Sequence, residues 1–138
     1  MIIDHRHTDI TKVPAYWINE AKNKFRIFYS HTSHGKQIVR GLCCLHNQQP
    51  YDFTACYGSC NGNGNFLADN QGYDLGHNGN LDWVAITRNE LNKSNNDRNV
   101  VIWSWCGGVS DNTKEGIDAY LEAMNKLEED YPNVILSI

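Results

Sequence analysis

Length, composition and charge restrict the classes of protein to be considered. The chain has 138 residues, the usual size of one domain, and its 41% hydrophobic content with four Trp and seven Tyr excludes a disordered polymer. A net charge of −4 without any Lys/Arg stripe argues against nucleic acid as a partner, and no apolar run has the length of a membrane span.

The first third of the chain predicts a helix, a strand and a second helix. Thr11 is a typical helix cap, and an apolar stripe predicts a helix over residues 11–23. The aromatic and β-branched run 25–29 predicts a strand. A polar turn follows over residues 30–35, and apolar side chains at helical spacing over 38–45 predict the next helix.

Residues 47–81 are rich in Gly and Asn and show little periodicity; only 51–56 within them has the composition of a short strand. Irregular segments of this length are usually functional or disordered, and the aromatic and Cys content favours an ordered functional loop. Cys56 and Cys60 are spaced to pair across a Gly/Ser turn. A single Cys-x-x-x-Cys spacing is a weak signal for zinc, so we expect most of the thiols to be structural.

The second half of the chain predicts two more helices and two more strands. Asp82 caps a helix that runs over residues 82–91. The near-continuous apolar run 99–105 is typical of a central parallel strand that is covered on both faces. Apolar positions over 117–127 predict an amphipathic helix, and 134–136 begins a last strand.

Strands that alternate with helices predict an α/β fold with a mainly parallel sheet, because right-handed crossovers return each strand in the same direction. Ligands of such sheets bind beyond the carboxyl ends of the strands. Two turns occupy that position, residues 30–35 after the first strand and residues 106–110 after the apolar strand. We expect both turns to face one crevice if the two strands are neighbours.

Ser33, in the first of these turns, is the candidate nucleophile. A hydroxyl at a strand-to-helix turn is exposed to the crevice, and the first N–H groups of the following helix are donors for an oxyanion. Serine needs a base, and His31 and His34 are the nearest candidates in sequence. Gly35 permits a tight turn and a close approach of substrate. The alternative is that Ser33 caps the following helix and that both histidines are structural.

The Trp-rich strand leaves a similar choice open. Alternation puts Trp103 and Trp105 on one face of the strand and Ser104 on the other. Two interpretations remain: the tryptophans belong to the core, or one of them reaches the crevice and stacks on a flat group such as a sugar ring.

Four segments of the sequence are distinctive: residues 4–9, 29–37, 79–83 and 99–107. The most specific motifs within them are His-Thr-Ser-His-Gly and Trp-Ser-Trp-Cys-Gly. Together they resemble a group of bacterial proteins related to the SGNH hydrolases, the GDSL-like esterases, over nearly the whole chain. The resemblance implies a three-layer α/β/α sandwich with a flavodoxin-like sheet.

The resemblance also implies a site. Ser33 matches the nucleophile of these enzymes, and Gly107 matches the loop that contributes an oxyanion-hole donor, although Gly108 stands where an Asn or Gln is expected. The activity implied is hydrolysis of a small-molecule or glycan ester, such as an acyl or acetyl group on carbohydrate, with no cofactor and no nucleic-acid or membrane partner. The expected oxyanion-hole or pocket residues are Gly35, His77, Asn80, Trp105, Cys106 and Gly107.

The chain departs from the SGNH pattern at its end. SGNH hydrolases carry an Asp-x-x-His pair after the last strand, and that His is the base; here no His follows His77. We therefore expect residues 1–138 to be a single domain that lacks its C-terminal part. The resemblance favours a secreted or periplasmic location, because related proteins tend to be exported, although no signal peptide is visible.

Two further functions stay open. The first is a non-catalytic member of the same scaffold, which uses the crevice to bind a carbohydrate or a partner protein. The second is a Cys/His metal protein. The metal protein requires one of two sets of side chains to converge: Cys56, Cys60 and His77, or His31, His34 and Cys106.

Overall fold

The computed structural model describes residues 4–45, 47–53 and 66–138. These residues form four α-helices and four strands, together with short 3₁₀ turns. In chain order the elements are α1 Ala15–Lys24, β1 Ile27–His31, α2 Lys36–Cys44, β2 Leu67–Gln71, α3 Asp82–Leu91, β3 Val100–Ser104, α4 Lys114–Asp130 and β4 Ile135–Ser137. Within the described ranges, no helix is both long and apolar enough to cross a membrane.

The four strands form one sheet in the order β2-β1-β3-β4, and every neighbouring pair is parallel. The prediction of a mainly parallel α/β fold is therefore confirmed. The order is that of the first four strands of a flavodoxin-like sheet, in which the crevice opens between β1 and β3, where the strand order reverses. The three-layer arrangement of the helices stays a prediction.

The core lies between one face of this sheet and the helices α3 and α4. Phe28 and Val101 are paired in the register of β1 and β3, and Trp103 follows on the same face two residues later. They pack against Trp83 of α3 and Leu127 of α4, which are fully buried. Burial of each such side chain stabilises the fold by about 1.5–3 kcal/mol. This packing fixes β1 and β3, the strands from which the two predicted turns extend.

The start of the first helix differs from the prediction. Thr11 lies in the 3₁₀ turn Ile10–Lys12, where its backbone N–H donates to the Asp9 carboxylate at 3.1 Å. The α-helix begins only at Ala15, after Pro14. The reason is local, because a residue before proline is forced out of the helical region, and Val13 is accordingly extended with ψ 118°.

The larger difference is β2, which the sequence did not predict. The segment 47–81 was expected to be a loop, but its residues Leu67–Gln71 pair along their whole length with β1. The strand contains Asp69 and Asn70, which are poor strand formers, and it lies at the edge of the sheet. Backbone pairing with β1 outweighs its low strand propensity. Residues 51–53 form no strand, and residues 54–56 lie outside the described residues.

Candidate functional site

The two predicted turns lie together at the carboxyl edge of the sheet. β1 and β3 are direct neighbours, with His31 paired to Ser104 at their ends. The first backbone N–H after β1, that of Thr32, donates to the carbonyl of Ser104 at 3.2 Å. The expectation that these turns share one edge is therefore confirmed by the strand order.

Ser33 begins a 3₁₀ turn, Ser33–Gly35, and has a left-handed backbone with φ +26°. This region is uncommon for residues other than glycine, and such residues cluster where a fold holds a functional group in place. The side chain of Ser33 is exposed and forms no hydrogen bond with any part of the chain that the structure describes. Ser33 therefore does not cap α2 through its hydroxyl.

Buried contacts beneath the turn hold this conformation. The Tyr29 hydroxyl donates to the carbonyl of Gly35 at 3.2 Å, and a Cβ placed on Gly35 would lie 2.5 Å from the Cβ of His31. Gly35 has ordinary helical dihedrals, so it is required by packing rather than by its φ angle.

His31 lies in the interior and pairs with β2. Its side chain is fully buried, its Nε2 lies 2.6 Å from Asp69 Oδ1, and its ring stacks on Tyr29 with centroids 4.9 Å apart. These contacts tie β1 to the polar edge strand. They give His31 a structural role at the end of β1, whereas its predicted role as a base stays a prediction.

His34 connects the two turns. It is exposed, and its Nδ1 lies 2.9 Å from the Sγ of Cys106, which follows β3. No hydrogen bond between His34 and Ser33 is present among the described residues. The histidine beside the candidate nucleophile therefore contacts a thiol, and its predicted role as the base of Ser33 stays a prediction.

The turn after β3 is held by a carboxylate that sequence reasoning missed. Asp74, in the loop after β2, accepts hydrogen bonds from the backbone N–H of Cys106 at 3.2 Å and of Gly108 at 2.7 Å. Burial acts to raise the pKa of Asp74, but the N–H groups of Gly108, Cys106 and Gly76 together with nearby His77 lower it below the ordinary aspartate value. Recognition of β2 would have identified Asp74, because the residue lies just beyond the carboxyl end of that strand.

Gly107 lies between Cys106 and Gly108, whose backbone N–H groups both donate to Asp74. It is exposed, and a Cβ placed on it would meet nothing within 4 Å. Its N–H has no hydrogen-bond acceptor among the described residues. Among the described residues nothing therefore occupies the Gly107 amide, and its role as an oxyanion donor stays a prediction.

A second histidine at this edge is paired with a carboxylate. Nδ1 of His77 lies 2.8 Å from Asp111 Oδ2, and the backbone N–H of Asn78 donates to Asp111 Oδ1 at 3.2 Å. The hydrogen bond and the charge of Asp111 raise the pKa of His77 above its ordinary value, and His77 in turn lowers the pKa of Asp111. The sequence placed His77 in the pocket, but nothing in it indicated Asp111 as a partner.

The remaining predicted site residues have structural contacts. The side-chain oxygen of Asn80 accepts the backbone N–H of Asp82 at 2.8 Å, so Asn80 helps α3 to begin. Trp105 is half-buried and packs against Tyr120 and Trp83, with ring centroids 5.2 and 6.0 Å away. Those contacts favour the core interpretation of Trp105 over the sugar platform.

The described residues contain no cluster of three or more metal-ligating side chains. Of the set His31, His34 and Cys106, only the last two are in contact. Cys106 and Cys44 are free thiols, whereas Cys56 and Cys60 and their predicted pairing lie outside the described residues.

Comparisons of the chain with known proteins identify no family. No protein-family model, no curated protein and no solved structure matches it. The resemblance to the SGNH hydrolases therefore stays a prediction. The observations that bear on function are the parallel sheet and the contacts at its carboxyl edge.

Proposed function

We propose that this chain is an ester hydrolase of the SGNH type in which Ser33 is the nucleophile. The observation that carries the proposal is the exposed Ser33 with φ +26°, held by buried contacts just beyond the carboxyl end of β1. A nucleophile on a constrained strand-to-helix turn is presented to substrate with little loss of conformational entropy. The position between β1 and β3 is also where open parallel sheets bind their ligands.

In this proposal His77 is the proton acceptor. Because Nδ1 of His77 faces Asp111, we assign the proton to Nδ1, and Nε2 keeps the lone pair that a base needs. The carboxylate also makes the imidazole more basic, since it raises the pKa of His77. His34 contacts Cys106, and His31 is fully buried, so both are less suited to this role.

Contacts along one edge support bringing His77 and Ser33 into one site. The imidazole of His77 packs so closely on Gly108 that an added Cβ there would lie 2.8 Å from the ring. Two residues earlier, Cys106 contacts His34, the neighbour of Ser33. The proposal requires the His77 imidazole to reach the Ser33 hydroxyl in the substrate complex, where catalytic hydrogen bonds often tighten.

The substrate in this proposal is a small-molecule or glycan ester, and the Gly107 N–H binds the oxyanion that forms when Ser33 attacks its carbonyl carbon. Tyr73, in the loop after β2, is 87% exposed. Because Tyr73 follows the carboxyl end of β2 by two residues, its exposed ring at this edge of the sheet offers a face on which a sugar ring can pack.

The test is covalent labelling of the purified chain with a fluorophosphonate probe, which reacts with activated serines. We expect the wild type to be labelled, Ser33→Ala to show no labelling, and His77→Ala to be labelled about 100-fold more slowly, the typical contribution of a general base. Matched controls are Ser110→Ala, an exposed serine of the neighbouring turn, and His5→Ala, an exposed histidine near the start of the chain. Both controls should be labelled like the wild type.

Two outcomes contradict the proposal. Undiminished labelling of Ser33→Ala would show that the probe reacts with another residue. A folded wild type that is not labelled would show that Ser33 is not activated. The second outcome favours a non-catalytic scaffold that binds a carbohydrate. One observation already points that way, because the Ser33 hydroxyl has no imidazole partner within the described ranges.

A further inference from the structure

Cys106 and His34 form a thiol–imidazole pair that the hydrolase proposal does not use. The two residues are 72 positions apart in sequence, and His34 Nδ1 lies 2.9 Å from Cys106 Sγ. This separation lies within the reach of a nucleophile and its general base. The pair exists only because β1 and β3 are neighbours, so their following turns meet.

The backbone around Cys106 is fixed. Its own N–H donates to Asp74 Oδ1, and the N–H of Gly108 donates to Asp74 Oδ2, so the carboxylate clamps both sides of the turn. The thiol is free and partly exposed, and its imidazole partner is exposed. An electrophile can therefore reach a sulfur atom that is already oriented towards a proton acceptor.

We propose that Cys106 is a nucleophilic thiol, activated by His34, that takes soft carbon electrophiles at the crevice between β1 and β3. The reactive species is the thiolate, and an imidazole in hydrogen-bond contact promotes its formation. The site is distinct from Ser33 and does not depend on the hydrolase proposal.

The step balances with iodoacetamide as the electrophile. An electron pair of Cys106 Sγ forms a bond to the methylene carbon, the carbon–iodine bond breaks, and iodide leaves with its electron pair. The thiol proton passes to Nδ1 of His34 and from there to water. No oxidant or reductant is required.

The test is the rate of carbamidomethylation of each cysteine, read by mass spectrometry of peptides from the folded chain at pH 7. Cys44, an exposed free thiol on α2, is the internal reference. General-base assistance typically contributes about 100-fold or more, so we expect Cys106 to react at least about 10-fold faster than Cys44. His34→Ala should remove that advantage, and His34→Gln serves as a second variant that keeps a polar side chain.

Ser33→Ala separates this inference from the hydrolase proposal. It should abolish fluorophosphonate labelling and leave the alkylation rate of Cys106 unchanged. Repeating the alkylation in urea, where both thiols are exposed and no pair exists, should bring the two rates together. A Cys106 that reacts no faster than Cys44 in the folded wild type overturns the inference, as does an unchanged Cys106 rate in folded His34→Ala or His34→Gln.

Discussion

Replacing Gly35 by alanine tests whether close packing holds the turn of Ser33. A Cβ at position 35 would lie 2.5 Å from His31 Cβ, 2.7 Å from the Tyr29 hydroxyl oxygen and 2.9 Å from His31 Cγ. The Cβ of His31 cannot rotate away, because it is attached directly to the backbone of β1. The turn or the strand must therefore shift.

The decrease in the free energy of unfolding of Gly35→Ala can be estimated from these contacts. Forcing an extra carbon into a packed site costs about 1–3 kcal/mol, and three contacts below 3.0 Å put this case at the upper end. Movement of the turn also weakens the bond from the Tyr29 hydroxyl to the Gly35 carbonyl, which contributes about 1 kcal/mol. We expect Gly35→Ala to lower the free energy of unfolding by about 3 kcal/mol, a large part of the stability of a domain of this size.

Gly41→Ala is the matched control on the same helix. Nothing lies within 4 Å of a Cβ at Gly41, which is exposed within α2. Because alanine is the better helix former, this change should raise the free energy of unfolding by about 0.5–1 kcal/mol. Urea unfolding followed by tryptophan fluorescence measures both variants. A Gly35→Ala variant as stable as the wild type would refute the steric argument for the turn.

Two further predictions concern contacts on either side of the site. Thr113→Ala should lower the free energy of unfolding by about 1 kcal/mol, because the Thr113 hydroxyl caps α4 by accepting the Gly116 N–H at 3.1 Å. Thr113→Ser keeps the cap and should change the free energy of unfolding little. An equal decrease in both variants would contradict the capping role. The second prediction concerns the His77–Asp111 pair. The raised pKa of His77 contributes stability that is fully present below its unfolded value of 6.5 and is lost as pH rises through the folded pKa. The lowered pKa of Asp111 contributes stability that is present above its unfolded value of 3.8 and is lost as pH falls through the folded pKa. The stability difference between the wild type and Asp111→Asn should therefore be largest between those two values and shrink above neutral pH. A difference that instead grows in urea titrations as the pH rises above neutral would disprove the pairing.

The local parts of the fold were predictable from sequence. The apolar run at 99–105 identified β3, and the spacing of apolar residues identified α2 and α4, because burial of one face imposes a short-range period on the chain. The same patterns predicted that the turns of Ser33 and Cys106 follow strands. Since parallel strands end at the same edge, both turns were correctly expected at one end of the sheet.

Only the tertiary structure decided the partners within the site. β2 is a polar edge strand that forms through pairing with β1, so no local signal marks it. Without β2 there was no reason to connect Asp74 with the turn after β3, or Asp69 with His31. The remaining contacts of the site are likewise long-range, joining His34 to Cys106 and His77 to Asp111. The local pattern of apolar residues determines the helices and the buried strands, whereas the strand order, set by the global packing of the core, determines the edge strand β2 and which side chains can react with one another.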